Sequence, residues 1–320
     1  MRPHYPHRMP RAHLSTAPTR FAYLGPEGTF ADAALGTLAV GDRTPVPSVP
    51  AALAAVRAGE FDAALVPMEN SVEGSVPATM DGLVDGAPLV ITREVFLPVA
   101  FVLGVRPGTT AAQVRTVASH PHALAQCRGR VAALVPDADV VPTSSTADAA
   151  RRVAAGEYDA AVCAAIAAER NGLDLLVDDL ADHPGAVTRF VLVQQPGPLP
   201  EVTGADKTSV TAVVTDRTGA LLDLLAVFAV RGISLTRIES RPTREPWVYS
   251  FSIDCEGHVA DRRVGDALAA LHRLCEDVRF LGSYPRTDGR ASRPVEDRVA
   301  DRAFTEAEAW LTRVRDGQAG

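Results

Sequence analysis

At 320 residues the chain is too long for one ordinary core and suits two or three domains, with hydrophobic residues at 47% to fill them. Aromatics make up only 5%, and the formal charge of −7 denies the chain any bulk attraction to nucleic acid or to an anionic membrane surface. No apolar run reaches the length of a membrane helix, and residues 1–19, rich in Arg, His and Pro, lack the apolar centre of a signal peptide. They read as a flexible tail on a cytoplasmic protein. Cys127, Cys163, Cys255 and Cys275 form no C-x-x-C pair and are expected as reduced thiols.

From Phe21 onward, short apolar runs alternate with Ala-rich stretches of helical character. Phe21–Leu24 reads as a strand, Gly25–Thr29 as a loop, and a helix follows to about Val40. Ala51–Ala58 is helical, Phe61–Val66 a strand, and Val76–Val84 helical again. This alternation predicts parallel sheets covered by helices on both faces. The stretch Gly59-Glu60-Phe61-Asp62-Ala63-Ala64-Leu65-Val66 is echoed by Gly156-Glu157-Tyr158-Asp159-Ala160-Ala161-Val162-Cys163, each after an Ala-rich helix. Two such units predict two similar lobes, with a ligand cleft at the carboxyl ends of their strands.

Three prolines and two glycines mark Gln194–Asp206 as a linker. Beyond it Val210, Ala212 and Val214 alternate as a strand, and Gly219–Val230 forms an amphipathic helix with Leu221, Leu225 and Phe228 on one face. Ile233–Ser240 is a strand, and Trp247, Tyr249, Phe251 and Ile253 alternate as another. Val264, Leu268, Leu271 and Cys275 mark a helix, and Val278–Tyr284 a last strand, giving the ferredoxin-like order βαββαβ. The tail after Pro285 is charged, with a helix around Thr305–Val314.

Four segments carry chemistry-bearing residues. The loop Gly25-Pro26-Glu27-Gly28-Thr29-Phe30 can present backbone amides to an anion at a helix start, although it lacks the Lys-Ser/Thr of a P-loop and also suits a plain turn. Pro67–Ser75 follows a buried strand; Asn70, Ser71 and Ser75 offer neutral hydrogen bonds and Glu69 an acid or an orienting group, with a helix N-cap cluster as the alternative. Ser119-His120-Pro121-His122 precedes Gln126-Cys127, and its H-x-H has no partner at a metal-ligand spacing, so no metal site is expected. Thr143-Ser144-Ser145-Thr146 caps the Ala147–Ala155 helix and offers an anion seat. Thr188-Arg189-Phe190 opens an apolar strand, where a buried Arg demands a partner: a ligand carboxylate, or a protein carboxylate such as Asp178, Asp179 or Asp182.

In order and spacing, the Gly25–Phe30 loop, Glu69-Asn70-Ser71, the His122-to-Cys127 run and Thr188-Arg189-Phe190 together resemble prephenate dehydratase from about Phe21 to Pro285. The C-terminal unit resembles an ACT domain. The resemblance implies an α/β fold: a two-lobed catalytic part similar to type II periplasmic binding proteins over 20–197, with its second lobe at about 98–186. A linker at 198–206, a ferredoxin-like ACT domain at 207–285 and a partly helical charged tail at 286–320 would follow. It further implies decarboxylative dehydration of prephenate without a cofactor. Thr188, Arg189, Phe190 and Glu69 would be catalytic, and Thr29, Asn70, Ser71, Ser75, Ser119, His122, Ser145 and Thr146 would surround the substrate. Gly219-Ala220-Leu221-Leu222 and Glu239-Ser240-Arg241-Pro242 look like the family's phenylalanine-binding segments, and a homodimer or homotetramer would assemble that site. One departure stands out: Ala186 occupies the place of the family's usual Asn two residues before Thr-Arg-Phe. Within this reading Arg189 is expected to grip the pyruvyl carboxylate, Thr188 to serve the leaving hydroxyl, and Glu69 to be a source of its proton. Arogenate as substrate, or a sensor that binds without turnover, are the rival readings.

Overall fold

The computed structural model describes residues 19–38, 41–182, 185–243 and 248–318. Of the tail at 1–19 interpreted above, residues 1–18 lie outside the described residues, as do Val40, the expected end of the first helix, and Trp247. The chain starts with β1 (Arg20–Leu24), α1 (Phe30–Leu38), β2 (Asp42–Val46), α2 (Val49–Arg57), β3 (Ala63–Asn70), β4 (Gly74–Ser75), α3 (Pro77–Val84) and β5 (Val90–Pro98). Helix α2 shows how the sequence sets these elements. Ser48 caps it by accepting from the Ala51 amide, and Val49, Ala52, Leu53 and Val56 recur at helical spacing to bury one face. Strand β3 runs beyond the expected apolar core, through Glu69 and Asn70, because these two residues pair with Ser75 and Gly74 of β4.

After β5 the chain crosses into a second lobe built from β6 (Val102–Val105), β7 (Thr116–Ser119), α4 (Pro121–Gln126), α5 (Arg128–Leu134), β8 (Asp139–Pro142), α6 (Thr146–Ala154), β9 (Ala160–Cys163), α7 (Ala165–Arg170) and β10 (Asp174–Val177). It then returns as β11 (Val187–Gln194), which lies between β3 and β5 and antiparallel to both. The two sheets have corresponding orders, β2-β1-β3-β11-β5 and β8-β7-β9-β6-β10. Each sheet is mixed rather than wholly parallel. The reason is the double crossing: β6 enters its sheet antiparallel to β9, as β11 enters antiparallel to β3.

The internal echo has a physical basis. Asp62 accepts hydrogen bonds from the Thr19 and Arg20 amides, and Asp159 accepts from the Arg115 and Thr116 amides. In each lobe this carboxylate, lying just before one central strand, pins the start of the neighbouring parallel strand. Gly59 and Gly156 end the preceding helices at φ +75° and +82°, a conformation that glycine adopts without steric cost.

The C-terminal unit comprises β12 (Asp206–Val214), α8 (Ala220–Ala229), β13 (Leu235–Pro242), β14 (Tyr249–Glu256), α9 (Arg262–Leu274) and β15 (Asp277–Pro285), with sheet order β13-β14-β12-β15. Val210, Ala212, Phe251, Ile253 and Cys255 on one sheet face pack with Leu224, Phe228, Val264 and Leu271. The other face is polar yet buried, with Lys207, Ser209, Thr211, Ser252 and Asp254 all below a tenth exposed. It is buried because it docks on the first lobe: Leu281 and Tyr284 belong to that lobe's core with Ile91 and Val191. A last helix, α10 (Asp301–Arg315), lies along α9.

Docking is close at Gly282, which has φ +134°; a Cβ there would meet the Ile91 carbonyl oxygen at 2.2 Å. Gly282→Ala combines backbone strain with overpacking and should cost about 2 kcal/mol or more. Scanning calorimetry should show a melting temperature lower by several degrees; an unchanged one would mean that the two units do not depend on this contact.

All four cysteines are unpaired. Burial pushes the Cys127, Cys163 and Cys255 thiols up to about 12, which keeps them protonated and unreactive. No described helix is long and apolar enough to cross a membrane.

Candidate active site

Thr188 is the second residue of β11, just after the chain returns from the second lobe, and it pairs in register with Asn70 at the carboxyl end of β3. Its Oγ1 lies 2.9 Å from Asn70 Nδ2. The orientation of that amide is fixed by its other end: Asn70 Oδ1 accepts from the Val72 and Glu73 backbone amides at 2.8 and 3.1 Å. Nδ2 must therefore face Thr188 and donate to it. With its oxygen accepting from Asn70, the Thr188 hydroxyl has its own proton to donate. Ser71 completes the corner, accepting from the Val187 amide through Oγ at 2.9 Å.

The other polar residues sit at strand ends and helix starts and are mostly engaged with backbone. Thr29 donates to the Leu24 carbonyl at the start of α1, and buried Ser119 donates to the Val162 carbonyl. Ser145 is the N-cap of α6, accepting from Asp148, and Thr146 opens that helix. Ser75 is half-buried in β4, opposite Glu69. His122 Nδ1 lies 3.0 Å from Glu73 Oε2, and Gln126 donates to Glu73 Oε1 at 2.6 Å, so α4 of the second lobe is tied to the β3–β4 turn of the first. A second tie joins Arg170 on α7 to buried Asp32 on α1 at 2.6 Å.

Next to this second tie lies a cleft of about 830 Å³, lined by Gly25, Glu27 and Pro47 of the first lobe and by Ser144, Ser145, Asp148, Arg151 and Arg170 of the second. Its lining does not include Thr188 or Asn70. Among the described residues no His, Cys, Asp and Glu side chains gather into a metal-binding group.

Arg189 departs from expectation. Alternation along β11 turns it away from the Thr188 face, and it is 3% exposed. Its Nε donates to Glu94 at 2.8 Å, its Nη1 to Asp254 of the C-terminal unit and its Nη2 to the Tyr284 hydroxyl. Lys207 reaches the same Glu94 oxygen at 2.8 Å. The partners are protein carboxylates, but neither is one of the three aspartates considered above; the guanidinium is fully engaged and holds no orientation toward a ligand. Burial works against ionisation of Asp254, yet the Arg189, Arg237 and Lys207 charges outweigh it and hold this carboxyl well below the usual range.

Two further expectations are corrected. Phe190 is 3% exposed and packs with Phe21, Tyr23, Ala34 and Leu65, so it is a core residue that shapes the first lobe under α1. Glu69 pairs in register with Arg189, which puts it on the opposite face of β3 from Asn70 and away from the Thr188 hydroxyl. Ala186, at the departure from the family pattern, is buried in the second lobe's apolar core with Val99, Phe101 and Leu180.

Glu94, Asp254 and Lys207 escaped sequence reasoning. Their one signal was position: each is a charge inside an otherwise apolar or alternating strand. In the C-terminal unit, Gly219 starts α8 at φ +85°, Ala220 donates to the Arg217 carbonyl, and Leu221 and Leu222 are 42% and 70% exposed. The pleat divides the other segment. Ser240 and Pro242 are exposed, whereas Glu239 and Arg241 face the first lobe, where Arg241 meets Asp81 at 3.0 and 3.1 Å.

Fold and site together define a two-lobed α/β enzyme with a neutral Asn70–Thr188 corner at the carboxyl end of β3, docked on an antiparallel βαββαβ domain. The sequence pattern of the prephenate dehydratase family matches residues 21–198, and that of the ACT domain matches 208–273. The chain belongs to the prephenate dehydratase family. A prephenate dehydratase of Mycolicibacterium vanbaalenii is 50% identical over 316 residues, covering 93% of this chain and 98% of that one. The crystal structure of prephenate dehydratase from Arthrobacter aurescens in complex with L-Phe is 48% identical, with a TM-score of 0.87, covering 92% of this chain and 99% of that one. A solved structure described as a novel type of quorum-quenching acylase is 32% identical, with a TM-score of 0.77 over 84% of this chain and 99% of its own.

Proposed function

We propose that the chain converts prephenate to phenylpyruvate in phenylalanine biosynthesis in the cytoplasm, and that phenylalanine regulates it through the C-terminal domain. The observation that carries the reading is the Asn70–Thr188 hydrogen bond, whose direction leaves the Thr188 proton for a leaving oxygen. In prephenate the electrons of the ring C–CO₂⁻ bond move into the ring as carbon dioxide departs. The ring C–O bond breaks, its oxygen takes a proton, and water leaves. The product is aromatic, so the protein's chief task is to ease departure of that oxygen. A hydroxyl donates a hydrogen bond there and relays a proton replaced from solvent.

A neutral site suits this chemistry. An Arg clamped on the ring carboxylate would favour the ion that has to disappear. With Arg189 engaged elsewhere, the carboxylates are left to the Ser71 hydroxyl and to the amides at the start of α6 at Ser145 and Thr146, with Thr29, its own hydroxyl proton given to Leu24, shaping the site from the start of α1. Ser75, Ser119 and His122 are read as further surroundings of the substrate.

The test is incubation of the pure protein with prephenate and, separately, arogenate, with the product identified by mass spectrometry. Phenylpyruvate from prephenate supports the reading. Phenylalanine from arogenate alone, binding of prephenate without turnover, or hydrolysis of an acyl amide with prephenate untouched would each replace it.

Phenylalanine is read as the effector, with Gly219-Ala220-Leu221-Leu222 of one copy and Glu239-Ser240-Arg241-Pro242 of a second forming its pocket. The exposed apolar residues Leu221, Leu222, Val230 and Ile238 support association of copies through this domain. A homodimer or homotetramer by light scattering is the expected result.

A further inference from the structure

The phenylalanine reading leaves open how a ligand on the C-terminal domain reaches Thr188, and β13 supplies a route. Its residues alternate between exposed and half-buried along its whole length. Thr236, Ile238, Ser240 and Pro242 form the exposed face. Arg237, Glu239 and Arg241 form the face turned to the catalytic part.

The buried face starts an unbroken line of charged contacts. Glu239 Oε2 lies 3.1 Å from Arg237 Nη1, and Arg237 Nε lies 3.1 Å from Asp254 Oδ2. The same Asp254 oxygen accepts from Arg189. Arg189 is bonded through the backbone to Thr188, whose side chain stands on the other face of the strand. Asp254 is wholly buried, and its second oxygen accepts from Ser209. Its one oxygen therefore serves two guanidiniums, one from each side of the domain junction, and a shift of either changes the hold on the other.

We propose that Arg237, Asp254 and Arg189 form a relay through which a ligand at the Glu239–Pro242 segment repositions Thr188, with Arg237 and Asp254 as positioning residues that touch no substrate. The relay rests on the reading of phenylalanine as effector. Phenylalanine moves β13, Arg237 moves with it, and the buried charges cannot be left unpaired, so Arg189 and its strand follow as a unit. A second tie from the same face, Arg241 to Asp81, lies at the surface; Asp81 is 58% exposed, and solvent screens that pair.

The experiment uses the full-length protein with Arg237→Gln, and Arg237→Lys as the variant that keeps a cation beside Asp254. Three readouts are compared with wild type: calorimetric phenylalanine binding, its effect on prephenate turnover, and its effect on hydrogen exchange of the peptide holding residues 187–194. Wild type should show a phenylalanine effect on kcat/KM of at least about fivefold, the lower end of ordinary allosteric coupling. Arg237→Gln should bind phenylalanine within about threefold of wild type but lose most of that coupling and the exchange response, with Arg237→Lys between the two. A fully coupled Arg237→Gln enzyme would overturn the relay and leave phenylalanine regulation standing. Loss of phenylalanine binding in both variants would also overturn it, since Arg237 would then belong to the effector site. A wild-type enzyme that binds no phenylalanine removes the regulatory reading and the relay with it.

Discussion

Arg189→Met should destabilise the protein by about 3–5 kcal/mol, the cost of breaking a buried ion pair by removing one partner. Glu94 and Asp254 would remain buried, each with one cation fewer, because Lys207 still reaches Glu94 and Arg237 still reaches Asp254. These surviving partners place the effect in the lower part of that range. Denaturant titration at neutral pH reads it directly. The pH dependence adds a second check. Asp254 is held below the usual carboxylate range, so its contribution is fully present above its unfolded value near pH ~4 and is lost as the pH falls toward the folded value. The gap between wild type and Arg189→Met should therefore be widest at neutral pH and narrow below about pH 4. An Arg that only gripped substrate would behave oppositely, raising KM with stability unchanged. That result would return Arg189 to the cleft.

The contrast shows where sequence reasoning stops. A strand's pleat is legible: Val210, Ala212 and Val214, or Phe251 and Ile253, announce which positions face a core, and the βαββαβ order followed from them. The two lobes were legible from the Gly-Glu-Phe-Asp and Gly-Glu-Tyr-Asp repeats, because the same backbone task, pinning a neighbouring strand, recruits the same aspartate twice. Partner choice was not legible. Arg189 had to be paired, but which carboxylate meets it depends on how the two units dock, and Asp254 lies 65 residues away in the other unit. Thr188 and Asn70 are 118 residues apart, and only the return of β11 between β3 and β5 brings them together. Likewise nothing in Thr188-Arg189-Phe190 says that its three side chains serve a cleft, a domain junction and a core in turn. Alternation separates the first two, and the packing around Phe21 and Tyr23 claims the third.

The catalytic assignment is most exposed at the Asn70–Thr188 pair. Thr188→Ala should lower kcat by about 10²–10⁴, the range for loss of a group that assists proton transfer, with circular dichroism and melting temperature near those of wild type. Thr188→Ser retains the hydroxyl and should recover most of the rate. Asn70→Asp is the sharper substitution because it changes one atom's role and almost nothing in shape. The new carboxylate can still accept from the Val72 and Glu73 amides, so the turn is kept. What it no longer does is donate to Thr188. The Thr188 hydroxyl would instead give its proton to the carboxylate as a hydrogen bond, and no proton would be directed at the leaving oxygen. Turnover should then fall by about 10² or more although Thr188 itself is intact. Asn70→Asp with near wild-type kcat would mean that the hydroxyl's orientation is irrelevant to the reaction. Thr188 would then act by shape alone, and the departing oxygen would draw its proton from water already in the cleft.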